Sequence, residues 1–153
     1  MGRRSHLRKA VGLAMALLLW GVSLPVLAGL KDENLLTPLP HGFKLGWQSP
    51  DGHMQEFVEP PDTVDDWSKM ITIQIFHGLK NINPDAFAER LAARWKSGCA
   101  DASAQKVRDG IENGYPIAVW IYVCPLNAAT HKPETMWLKG IGGADSLYVT
   151  QYA

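Results

Sequence analysis

QEFVEPPDTVDDWSKMITIQIF, residues 55–76, is the stretch from which the fold of this chain can be read. In its second half Ile71, Ile73 and Ile75 alternate with Met70, Thr72, Gln74 and Phe76. Successive side chains of a strand point to opposite faces, so this period of two predicts a strand with one strongly apolar face. Gln55 to Val58 is a shorter strand-like run. Pro60 and Pro61 between them have no N–H to give to a ladder and force a crossing. Asp62 or Thr63 is placed to cap a helical turn through Asp66, with Trp67 as an apolar anchor ahead of the second strand.

Working outward, Phe43, Leu45 and Trp47 alternate with Lys44, Gly46 and Gln48, which predicts an earlier strand. Ser49-Pro50-Asp51-Gly52 supplies the turn that would fold it against residues 53–58. On the other side, Asn83-Pro84-Asp85 is a strong helix start: an N-cap, a proline at the first position and an acid in the first turn. Phe87, Leu91 and Trp95 recur every four residues with Ala88 and Ala92 beside them, giving the helix one apolar face. Gly98 is expected to end it in a left-handed conformation. Ser103 to Arg108 reads as a weak strand, and Asp109-Gly110 and Asn113-Gly114 as turn signals. Ile117 to Cys124 is apolar on both faces, as a covered strand would be. Met136 to Ile141 and Ser146 to Tyr152 form a hairpin through Gly142 to Asp145. The sum is an α+β domain: an antiparallel sheet of six or seven strands with one long helix packed on a face.

Composition bounds the rest. Residues 1–28 read as a signal peptide, with Arg3, Arg4, Arg8 and Lys9 before an apolar run and Val26-Leu27-Ala28 as the cleavage region; an uncleaved anchor is the rival reading. Residues 29–42 form an extended lead-in, with a strand-edge contact as its expected tie, and 43–153 a single domain. Of the 15 Lys and Arg, four lie in the signal, which leaves 11 against 15 Asp and Glu, a balance of −4. That charge and the lack of a basic stripe argue against nucleic acid and against an anionic membrane surface as partners. The location expected is periplasmic or secreted. There Cys99 and Cys124, the two cysteines of the chain, pair as a structural disulfide whose loop closure is worth about 3 to 3.5 kcal/mol. Reactive thiols or metal ligands are the alternative, without a CxxC spacing to support them.

No catalytic signature is present: no G-x-S-x-G elbow, H-E-x-x-H pair, Walker loop or dinucleotide glycine pattern. Gly140, Gly142 and Gly143 precede a strand and suit a hairpin better than a phosphate loop. His41, His53, His77 and His131 are scattered, so no metal site and no cofactor are expected. His77, past the end of the central strand, is the best acid–base candidate, with His131 near Glu134 no stronger. Glu56, Glu59, Asp62, Asp65 and Asp66 read as a solvated acidic rim sooner than as a calcium site. Gln74 with Thr72 hints at a polar pocket. Trp67, Trp95 and Trp120 are assigned to the core, whereas Trp47 and Trp137, on presumed edge strands, are candidates for a binding surface.

The run Asp66-Trp67-x-x-Met70-x-Thr72-x-Gln74, after Glu56-x-Val58 and a proline crossing and before a helix and a cysteine pair, resembles a group of small exported bacterial proteins of unassigned function. The likeness extends from about Gly46 to the C-terminus. More distantly, the order of elements resembles the PsbP-like and DcrB-like sandwiches. The resemblance implies an accessory or binding role and transfers no catalytic residue. The leading expectation is therefore an exported binding protein for a protein or envelope component. Two alternatives stand beside it: a small hydrolase or isomerase using His77 with Asp145 or Glu56, and an inhibitor acting through the loop from Leu126 to Pro133.

Overall fold

Among the described residues, seven strands and one helix follow one another. They are β1 (Lys44–Gln48), β2 (Met54–Val58), β3 (Met70–His77), α1 (Pro84–Gly98), β4 (Ser103–Glu112), β5 (Tyr115–Cys124), β6 (Glu134–Gly142) and β7 (Ser146–Tyr152). The computed structural model describes residues 33–128 and 130–153; the expected signal peptide and the first residues of the lead-in lie outside that range. The strands form one sheet in the order β1-β2-β3-β7-β6-β5-β4, every neighbouring pair antiparallel. The helix carries the chain from β3 in mid-sheet to β4 at the far edge. The meander β4 to β7 then walks back until β7 closes against β3.

The register sorts the side chains onto two faces. Phe76, Leu147, Val149, Leu138, Met136, Trp120 and Tyr122 point to the helix and pack with Ala88, Ala92, Phe87, Leu91 and Trp95 in one apolar core. Ile71, Ile73 and Ile75 pair with Tyr152, Thr150 and Tyr148 on the opposite side, here called the distal face. The apolar stripe of β3 thus serves the side opposite the helix. That β5 is apolar on both faces has the same cause: Trp120 and Tyr122 meet the helix while Ile117 is buried distally.

Both ends of α1 are tied to the sheet. The Asn83 side chain accepts from the Asp85 N–H at 2.9 Å, the expected cap. Asp85 in turn accepts from Trp120 Nε1 at 2.8 Å on β5 and from Lys106 Nζ at 3.0 Å on β4. Lys106 first, then Trp120, holds the Asp85 carboxyl below its ordinary range against the opposing effect of burial. At the other end Cys99 and Cys124 are joined as a disulfide, with Cα atoms 5.9 Å apart. Between these ties the Tyr122 hydroxyl donates to the Ala88 carbonyl at 2.9 Å, and burial pushes its pKa upward.

Four local expectations are corrected. Gly98 is not left-handed; Cys99 caps the helix in an extended conformation with its N–H on the Trp95 carbonyl, and the left-handed residue is Asp101, φ 60°. The cross-link fixes Cys99 against β5, so the reversal falls beyond it. Asp62 to Asp66 is not a helical turn: Thr63 and Asp66 exchange two backbone hydrogen bonds, and Asp62 accepts from Ser68 N–H and Oγ. Asp109-Gly110 is no turn either, since β4 runs on to Glu112 and reverses through Asn113-Gly114, both with positive φ as a two-residue hairpin turn requires. The described part of the lead-in, finally, does more than touch a strand edge. Residues 33–38 cross the distal face as a strap that walls a cavity over β5, β6 and β7.

Candidate functional site

Among the described residues no helix covers the distal face, which carries apolar surface. At one end the strap covers it. Glu33 reaches the β6–β7 turn and accepts from the N–H groups of Ala144 at 2.7 Å and Asp145 at 3.0 Å. The Asp145 N–H foremost, with the Ala144 N–H and the hydroxyls of Tyr115 and Tyr148, keeps this carboxyl below its ordinary value against burial. Gly143 makes the approach possible: a Cβ there would stand 2.3 Å from Glu33 Oε2 and 2.7 Å from the Tyr148 ring. Beneath the strap lies a cavity of about 400 Å³ whose floor includes Ile117, Ile141, Tyr148 and Lys139.

At the other end the face is open. Trp137 pairs with Tyr152 across β6 and β7, and the two residues are 45% and 40% exposed. Phe43 packs on Tyr152 with ring centroids 6.2 Å apart, and Leu45 on β1 is exposed nearby in the register, opposite Phe57. Aromatic rings that present an apolar body at a surface are the groups most often found anchoring a protein interface. Trp137 sits on β6, an interior strand, so its exposure comes from the uncovered face and not from an edge.

Trp47 does not join it. The register of β1 slips between Leu45 and Trp47, which sets Leu45 opposite Phe57 but Trp47 opposite Glu56, and Glu56 pairs with Thr72 on the helix side. A bulge inserts one residue and so changes the face of everything beyond it. Phe43, Leu45 and Trp47 therefore do not share a face, contrary to their spacing. Trp47 is 42% exposed on an edge strand, as expected of it, but faces away from Trp137. Trp67 is half-buried beside Asp65, Asp66 and Lys132 instead of in the core, because the crossing stays on the surface.

His77 ends β3 exposed, with its Nδ1 3.4 Å from Ser146 Oγ. Glu56 is opposite Thr72, five residues away along β3, roughly 16 Å at strand rise. The Asp145 carboxylate is engaged by Lys80 at 3.5 Å, although the Asp145 carbonyl accepts from Gly78 N–H beside His77. The neighbour His77 does have is His53, their ring centroids 4.3 Å apart. Spacing along the chain gave no sign of that pair; the β2–β3 register creates it. His131 is exposed with φ 55°, its N–H on the Asn127 carbonyl, in a loop tied to the crossing by Lys132 and Asp66 at 2.7 Å. Gln74 is half-buried on the helix side between Met54 and Val149 and does not line the strap cavity. Within the acidic segment Glu59 pairs with Lys69, Asp62 with Ser68 and Asp66 with Lys132, while burial raises the pKa of Glu56. Among the described residues no three His, Cys, Asp or Glu side chains are grouped as a metal would need.

No family model and no curated protein matches the chain. Among solved structures it is similar to the Ran-binding protein Mog1p of Saccharomyces cerevisiae and to a Mog1 point mutant. In each the TM-score is 0.50 at 11% identity, over 74% of this chain and 68% of the other. At that identity the likeness is one of fold.

Proposed function

We propose that the protein is an exported accessory or binding protein of the cell envelope, without chemistry of its own, that holds a protein partner on the open end of its distal face. The observation that carries this reading is the side-by-side exposure of Trp137 and Tyr152 on the sheet face opposite α1. Export draws support from the basic and apolar segment at residues 1–28 and from the cross-link, which persists in oxidising compartments. No helix among the described residues is long and apolar enough to cross a membrane. A protein partner has a precedent in the fold, since Mog1p is itself described as Ran-binding. The accessory role implied by the likeness to small exported proteins points the same way. Catalysis by His77 is disfavoured by its distance from Glu56 and by the engagement of Asp145 with Lys80.

The test compares envelope proteins retained by the immobilised protein with those retained by Trp137→Ala. Truncating a central aromatic anchor costs about 2 kcal/mol or more of binding, roughly thirtyfold in affinity. A retained species should therefore be lost. Because the ring is half exposed, stability should fall by only about 1 to 2 kcal/mol, short of the 3 to 5 of a core aromatic. Trp47→Ala, on the other face, should keep the partner. Retention unchanged by Trp137→Ala, or lost with Trp47→Ala alone, contradicts the assignment.

A further inference from the structure

The cavity under the strap is a second feature of the distal face, beyond the open aromatic end. Its volume of about 400 Å³ lies in the range in which proteins enclose a small molecule. Ile117, Ile141 and Tyr148 supply an apolar floor, and Leu35 and Pro38 of the strap an apolar wall. The charged lining residues are one cation, Lys139, and two carboxylates, Glu112 and Glu33, the latter held by the Ala144 and Asp145 N–H groups. Lys139, between Val119 and Thr150 in the register, has its side chain 35% exposed and its Nζ on Glu112 Oε1.

Glu112 has a second cation. Its Oε2 accepts from Arg108 Nη2 at 2.8 Å, and both Lys139 and Arg108 keep its carboxyl deprotonated below the ordinary range. If Lys139 turned to another anion, Glu112 would remain paired. The Lys139 ammonium is thus a charge that an arriving carboxylate can take over without stranding its present partner. A charge-assisted hydrogen bond next to an apolar floor discriminates sharply between an acid and a neutral molecule of the same shape.

We propose that the space between the strap and β5–β7 binds a small amphipathic carboxylate, its apolar body on Ile117, Ile141 and Tyr148 and its carboxylate on Lys139 Nζ. The site is separate from the aromatic end of the face, so the partner reading can fail while this one stands. Calorimetric titration with decanoate, 2-naphthoate and decanol, each below its aggregation concentration, tests it. One or both acids should saturate at one per chain, and which of them does distinguishes an aliphatic from an aromatic ligand. Decanol should bind about tenfold more weakly than the better acid. Lys139→Gln should lower the affinity for that acid about tenfold and leave decanol unaffected. Ile141→Trp, which fills the floor, should abolish both; if it fails to fold, Lys139→Gln carries the test alone. Trp137→Ala should leave the acid affinity unchanged, which separates this site from partner capture. Saturation by neither acid up to about 1 mM, decanol binding as tightly as the acids, or an acid affinity indifferent to Lys139→Gln would overturn the proposal.

Discussion

Glu33 shows how one residue fixes the geometry of the distal face. Its carboxylate is bound by two backbone N–H groups of the β6–β7 turn, and its folded pKa lies below the ordinary 4.5. A depressed carboxylate stabilises what it holds at every pH above the unfolded value, and that contribution is lost as pH falls through the folded one. The hold of Glu33 on the turn should therefore persist at pH 4.5 and weaken only as pH falls through the lower folded value. In an NMR titration the Ala144 and Asp145 amides should shift with a midpoint under 4.5, and Glu33→Gln should remove that transition. A midpoint at or above 4.5 in the unmodified protein would show that the clamp does not form. None of this was legible in the sequence, because residues 29–41 have no period and Glu33 is 111 positions from Ala144. Trp137 was legible as a candidate, though for a different reason from the one the fold supplies. Trp47 lies exposed on the edge strand expected of it, but its face was not legible, because a bulge leaves no mark that a period of two can reveal.

The elements themselves were mostly written in local chemistry. Asn83-Pro84-Asp85 starts α1 where expected, and the two-residue turn at Asn113-Gly114 closes the β4–β5 hairpin. Ends governed by tertiary ties were less legible: Gly98 lost the helix stop to the cross-link, and β4 ran past Asp109-Gly110 because β5 pairs with it to Glu112. The helix is fastened twice, by Asp85 at its start and by Cys99 at its end, and the two fastenings are independent. Replacing both cysteines by alanine should lower stability by about 3.5 kcal/mol, the loop-closure value for 25 residues. It should also loosen the helix unevenly. Hydrogen exchange should accelerate over Arg94 to Gly98 and much less at Phe87 and Ala88, which the Asp85 contacts still hold. Unchanged stability, or equal loosening at both ends, would mean that the sulfur bridge does not anchor the helix.

At the scale of the molecule, one helix covers one face of a seven-stranded sheet, and the other face is divided between a strap and an aromatic patch. The α+β class followed from counting elements. The strand order did not, because hairpins specify only nearest neighbours and the β3–β7 pairing joins residues from His77 and Ser146 to Ile71 and Tyr152, far apart along the chain. Without that order, the Ile71-Ile73-Ile75 stripe cannot be assigned to the helix side or away from it, and the site stays hidden. Partner capture as proposed requires the distal face to be the working one. A photoreactive amino acid placed at Trp137 on that face, or at the exposed Arg90 on α1, tests this in living cells that export the protein. Irradiation should give a discrete higher-mass adduct from position 137 and none from position 90; adducts from position 90 alone would contradict the account.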